Sequence, residues 1–265
     1  MSYLNDVILG VIEGVTEFLP ISSTGHLLLA QHWLGARSDM YNIVIQAGAI
    51  LAVTLIYWQR IVGLVSGWRD AENRDYLVKL TVAFLITSVL GLVVKKLGFE
   101  LPETVQPVAW ALVLGGFWMI AAEKLAERKP DAAQITMMVA IAVGIAQIVA
   151  GIFPGLSRSG TTIFVAMLLG TSNRPAATEF AFLVGIPTMY AASAYELLKQ
   201  FTDSTAVAED WTGLGIAFVV SMVTAFVSVK WLLGFIRSNK FTAFAIYRII
   251  FGGGLLALSA AGLMA

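Results

Sequence analysis

Apolar residues run along the chain in long blocks, and short polar stretches separate them. Six blocks are long enough to be full membrane spans, over 43–65, 77–96, 105–123, 176–196, 213–235 and 242–263. An α-helix needs about 20 such residues to cross a hydrocarbon core of roughly 30 Å. Two further blocks, 7–34 and 138–170, are as apolar but are broken in the middle. The first breaks at Pro20-Ile21-Ser22-Ser23-Thr24-Gly25 and the second at Pro154-Gly155-Leu156-Ser157-Arg158-Ser159-Gly160. A proline stops the helix before it, and Ser or Thr caps the next one. Each broken block is therefore expected to form a re-entrant hairpin of two half-length helices lining a polar cavity. The pattern predicts an all-α, polytopic membrane protein.

Composition agrees. The chain is 58% hydrophobic and 13% charged, with a mean hydropathy of +0.82. A water-soluble domain is nearer half apolar and a quarter charged. The net charge is zero, which gives no electrostatic case for a nucleic-acid partner. The absence of cysteine excludes disulfide and thiol chemistry. The N-terminal segment does not read as a signal peptide, because the first Lys or Arg is Arg37 and the first apolar block carries Glu13 and Glu17.

The two broken blocks align with each other. A shift of 134 positions lays Gly144 on Gly10, Gln147 on Glu13, Pro154 on Pro20 and Ser157 on Ser23. With a small gap Glu179 falls near Gln46, and Gly252-Gly253 falls near Gly115-Gly116. The single membrane domain 1–265 then holds two repeats, about 5–125 and 139–265. Each has one hairpin and three spans. A hairpin returns to its own side, so each half crosses an odd number of times and the second is inverted relative to the first. Paired broken helices in inverted repeats mark a binding site near the midplane. On this topology Arg60, Arg69, Arg74, Lys79, Lys124, Arg128, Lys129, Arg174, Lys230, Arg237 and Lys240 share one side, and Arg37, Lys95, Lys96 and Lys199 the other. Eleven against four makes the first side cytoplasmic, with both termini outside.

The breaks also carry the candidate chemistry. Glu13 and Glu17 lie four apart on one face of a short apolar helix. Two such carboxylates suit a divalent cation, and one of them suits a general base; the bland alternative is an interfacial helix end reaching water. Ser22, Ser23, Thr24 and Gly25 fall where a helix begins, a place suited to phosphate. Ser23 is a candidate nucleophile and His26 its candidate partner. Simple capping and a histidine bonded within the bundle is the competing reading. In the second break Arg158 offers a planar fork for phosphate. Ser157, Ser159, Thr161 and Thr162 add hydroxyls there, and Gly155 and Gly160 allow close backbone approach. The competing reading of Arg158 is an internal ion pair with Glu13 or Glu17, which is also compatible with a catalytic site. Gln46 and Glu179 are candidates to support the hairpins, Arg248 either snorkels or turns inward, and Glu123 and Glu127 read as a solvated helix end. Together the breaks predict a metal clamped on a diphosphate.

Glu13-Gly-Val-Thr-Glu17 fits an (E/Q)-x-x-x-E motif, and Pro154 through Thr162 fits P-G-x-S-R-S-x-x-T. With Phe18-Leu-Pro-Ile-Ser-Ser-Thr-Gly-His26 and Ala243-Phe-Ala-Ile-Tyr-Arg248, the chain resembles bacterial undecaprenyl-diphosphate phosphatases of the bacitracin-resistance type over essentially its full length. The resemblance implies hydrolysis of undecaprenyl diphosphate to undecaprenyl phosphate and inorganic phosphate, which recycles the lipid carrier of cell-wall synthesis. It also implies a divalent cation, Mg²⁺ or Ca²⁺, a bacterial plasma-membrane location, and a site opening outward. Ser23, His26 and water stay open as the attacking group, and a homodimer stays open as well. Inverted repeats are also transporter architecture, so a flippase for a phosphorylated polyprenyl lipid is the alternative; the set of Glu17, Ser23, His26 and Arg158 argues against it.

Overall fold

The computed structural model describes residues 3–98, 104–202 and 209–264; the stretches 99–103 and 203–208, within the two expected repeats, lie outside it. Among the described residues the chain is all helical. In order the helices are α1 (Tyr3–Thr16), α2 (Ser23–Leu34), α3 (Asp39–Ile56), α4 (Trp58–Ser66), α5 (Ala71–Lys96) and α6 (Val105–Ala126). Then follow α7 (Met137–Ile152), α8 (Arg158–Leu169), α9 (Arg174–Thr202), α10 (Trp211–Phe235) and α11 (Thr242–Ala260). Helices α3, α5, α6, α9, α10 and α11 are long and apolar enough to cross a membrane. The broken blocks form the short pairs α1–α2 and α7–α8. Capping follows the sequence: Ser38, Thr136 and Asp210 accept from backbone N–H groups at the starts of α3, α7 and α10.

Packing is by close backbone approach. α1 lies on α10, and a Cβ added to Gly10 would fall 2.6 Å from the Ala217 carbonyl oxygen. α7 lies on α5, where a Cβ on Gly144 would fall 2.7 Å from the Ala83 carbonyl oxygen. Small residues at such crossings suit a bilayer, where lipid is as apolar as leucine and association rests on van der Waals fit. The core between the helices is dense with Phe164, Phe180, Phe182 and Phe241, all buried. Large apolar residues also point outward, among them Leu85, Val89 and Leu92 on α5 and Val219, Val223 and Val227 on α10. An outward apolar belt is the expected surface of a protein solvated by lipid.

Two expectations change. The span expected over 43–65 divides at Tyr57, into α3 and the nine-residue α4. Tyr57 takes φ −94° and ψ 11°, and beyond it Arg60 pairs with Glu179 at 2.9 Å. Glu123 is not part of a solvated helix end. It is 2% exposed and accepts from Arg174 Nε at 2.8 Å, the Phe241 amide at 3.0 Å and Thr242 Oγ1 at 3.1 Å. It thereby satisfies free donors at the start of α11. Glu127 does lie at the surface, paired with Lys240.

Candidate active site

Both breaks are built on the same turn. Ser22 has φ 71° and ψ 98°, and Ser157 has φ 66° and ψ 111°. They are the non-glycine residues with positive φ among those described. Such backbone costs on the order of 1–3 kcal/mol and persists where surroundings enforce it, often at functional sites. Each serine hydroxyl then accepts from the amide three residues on, Gly25 at 3.4 Å and Gly160 at 3.2 Å. Ser23-Thr24-Gly25 and Arg158-Ser159-Gly160 thus form the first turns of α2 and α8.

The breaks meet. Ser159 Oγ donates to the Leu19 carbonyl at 3.2 Å, and a Cβ on Gly160 would lie 3.3 Å from Pro20 Cβ. At the junction Ser23 Oγ donates to Glu17 Oε2 at 2.5 Å. The other oxygen of Glu17, Oε1, accepts from Arg158 Nη2, 141 positions away in sequence. Glu17 is 8% exposed and the Arg158 side chain 27%, so one end of this chain of contacts reaches the surface. A cavity of about 20 Å³ adjoins it, lined by Glu17, Gln147, Arg158, Ser159 and Thr162 among others. That is room for about one water.

Glu13 is fully buried, one turn from Glu17, and neither carboxylate oxygen has a hydrogen-bond partner. A bare buried carboxylate is costly unless a cation or proton answers it. Among the described residues no three of His, Asp and Glu converge as a ready-made metal cage. Glu13 and Glu17 still fit a hard cation, because Mg²⁺ is commonly held by one or two carboxylates with water and substrate phosphate completing its shell.

His26 is placed differently from the expected serine–histidine couple. Its Nδ1 lies 2.7 Å from the Ser22 carbonyl and its Nε2 2.7 Å from Tyr247 Oη. The ring stacks on Phe251, centroids 4.2 Å apart. A carbonyl only accepts, so Nδ1 carries a proton, and in the neutral ring Nε2 accepts from Tyr247. The group in contact with Ser23 Oγ is Glu17. Thr24 is exposed in the first turn of α2 and Gly25 is buried. Ser157 and Ser159 hydroxyls are 3.1 Å apart, and Thr162 Oγ1 bonds back to the Arg158 carbonyl at 2.8 Å. Gly155 takes φ 100°. Gln147 Nε2 donates to Thr87 at 2.9 Å while its Oε1 is buried and unpartnered.

Glu179 supports no hairpin directly. With Arg60, Asp75, Lys79 and Arg237 it lines a separate cavity of about 1070 Å³. Gln46 is half-buried in α3. Arg248 turns inward: it is fully buried and reaches backbone carbonyls of both breaks. Sequence leaves that residue undecided, because a long side chain near a helix end has both options.

An arrangement of this kind keeps ionisable groups inside an apolar slab, where they are expensive and serve function. The class is a multi-pass membrane protein, with six helices among the described residues long and apolar enough to span a bilayer. The chain belongs to the bacitracin resistance protein BacA family, whose profile matches residues 6–254. It is 73% identical over 265 residues to an undecaprenyl-diphosphatase of Rhizobium johnstonii, covering 100% of both chains. It is 57% identical over 253 residues to an undecaprenyl-diphosphatase of Xanthomonas euvesicatoria pv. vesicatoria, covering 96% of each.

Proposed function

We propose that this protein hydrolyses undecaprenyl diphosphate to undecaprenyl phosphate and inorganic phosphate. Relatives of 57–73% identity that bear the name undecaprenyl-diphosphatase support the activity. The observation that carries the mechanism is the chain of contacts from Ser23 through Glu17 to Arg158. Ser23 Oγ attacks the terminal phosphorus and its proton passes to Glu17 Oε2. The bond from phosphorus to the bridging oxygen breaks, and undecaprenyl phosphate leaves with the electron pair. Water then cleaves the seryl phosphate, and the proton held by Glu17 returns to Ser23. Arg158 and the N–H groups opening α2 and α8 stabilise the charge on the transferring phosphoryl group. His26 braces the strained Ser22 turn.

Glu13 and Glu17 would hold the divalent cation, Mg²⁺ or Ca²⁺. When bound, it supplies Lewis-acid neutralisation of the diphosphate oxygens. Its fit rests on the partnerless oxygens of Glu13.

Two inverted repeats, each with a re-entrant hairpin, are the architecture this reading uses. Supporting it, the main packing contacts of the long helices recur on exchange of the halves: α1 on α10 answers α7 on α5, α3 on α10 answers α9 on α5, and α6 pairs with α11. A Cβ on Gly116 would fall 2.8 Å from the Ala245 carbonyl, and one on Gly252 would fall 2.8 Å from the Ala109 carbonyl. Those two contacts are one contact seen twice under a shift of 136 positions. The Lys and Arg count supports both termini lying outside, and the family resemblance supports a bacterial plasma-membrane location with the site opening outward. Phosphate release from undecaprenyl diphosphate by the purified protein tests the activity. Retention of near-wild-type turnover by Ser23→Ala would remove Ser23 from the mechanism.

A further inference from the structure

Arg248 lies inside α11 with no exposed surface. A guanidinium has five N–H donors, and here each has a carbonyl. Nε donates to Leu112 at 3.4 Å. Nη1 donates to Pro20 at 3.3 Å and Leu156 at 2.9 Å. Nη2 donates to Ala111 at 3.2 Å and Gly155 at 2.8 Å. No donor is left for a carboxylate, so a full positive charge sits in the bundle beside both breaks.

Three of those carbonyls follow the ends of half-helices. Pro20 comes after α1, and Gly155 and Leu156 come after α7. They belong to the non-helical turns between the half-helices, where no helix ladder answers a carbonyl. The same breaks open the N-termini of α2 and α8, which carry partial positive charge. We infer that Arg248 is a positioning residue for the proposed phosphatase reaction: it ties the carbonyl ends of both breaks together, so that the starts of α2 and α8, with Ser23 and Arg158, face the diphosphate. Its remaining two acceptors, Ala111 and Leu112 in α6, anchor the junction to a full-length span. Gly115 makes room for it, since a Cβ there would fall 2.3 Å from Arg248 Nη2.

Lysine keeps the charge but has three donors and no planar fork, so it cannot serve five carbonyls. Gly115→Ala keeps the arginine but pushes its fork aside. This inference rests on the phosphatase reading, and the test separates the two. Wild type, Arg248→Met, Arg248→Lys and Gly115→Ala are purified in detergent and checked for folding by thermal unfolding. Turnover of undecaprenyl diphosphate is measured, with inorganic phosphate as an inhibitor probe. Gly115→Ala is expected to fold and to lose at least about tenfold in kcat with KM changed by less than about threefold. Folded Arg248→Met is expected to lose about 100-fold or more in kcat, the scale of a lost oxyanion donor, and to bind phosphate about tenfold more weakly. Arg248→Lys recovers phosphate inhibition more than kcat. Wild-type kcat and phosphate inhibition in folded Arg248→Met or Gly115→Ala overturn the inference. If both Arg248 variants fail to fold, Gly115→Ala decides alone. If wild type releases no phosphate, the phosphatase reading falls, and phosphate binding by wild type against Gly115→Ala then decides the positioning.

Discussion

Glu17→Gln is nearly isosteric, yet it removes what both partners of Glu17 use. The amide oxygen still accepts from Ser23 or from Arg158, but it takes no proton at neutral pH. Loss of a positioned general base costs about 10²–10⁴-fold, so kcat is expected to fall by about 10³-fold, or roughly 4 kcal/mol in activation free energy. The fold should tolerate the change better. Breaking a fully buried pair costs about 3–5 kcal/mol, but Arg158 is a quarter exposed and keeps an acceptor, which brings the expected loss nearer 1–2 kcal/mol. The decisive assay is a double-mutant cycle in kcat with Ser23→Ala. If Glu17 works through Ser23, the double variant is within about tenfold of the worse single variant, because groups acting as one unit lose their effect once. Multiplied losses, or a folded Glu17→Gln within about tenfold of wild type, would refute the assignment.

Glu13→Gln is expected to leave thermal stability in detergent unchanged or higher, because a buried carboxylate without a donor is removed. The same variant should need at least about tenfold more divalent cation for half-maximal rate, the scale on which metal-site changes act. Gly155→Ala meets both a φ of 100° and a carbonyl 2.5 Å from the new Cβ, so thermal unfolding should show a loss of about 1–3 kcal/mol. Glu123→Ala strands Arg174, the Phe241 amide and the Thr242 hydroxyl, and should cost about 2–4 kcal/mol in the same assay with the cation requirement of the surviving enzyme unchanged.

Much of the fold is legible because a bilayer makes simple demands. Apolar length marks the six spans, and Pro with Ser or Thr marks both breaks, where the structure makes Ser22 and Ser157 the caps. Charge alone asks for a pair across the breaks, because Arg158 in an apolar block needs an anion; of the two carboxylates the sequence offers, Glu13 and Glu17, the structure pairs it with Glu17. What sequence does not show is which neighbour a short polar side chain chooses. Ser23 stands three residues from His26 and six from Glu17, yet the strained turn at Ser22 points its hydroxyl to Glu17. His26 is drawn away by Tyr247 and Phe251 on α11, some 220 positions along the chain. Glu123 reads as a surface acid because its partners, Arg174 and the start of α11, come from two other helices. Tyr57 hides a break that the polarity of Gln59-Arg60 could have revealed.

The central claim is enzymatic chemistry at the meeting of the two breaks. Its most direct test is phosphate release from undecaprenyl diphosphate by the purified protein in detergent, with and without a chelator, beside Arg158→Ala. Wild type is expected to release phosphate, and that release is expected to be lost on chelation and lost in the folded variant. Release that survives in folded Arg158→Ala would contradict the placement of the site, and no release by folded wild type would contradict the activity.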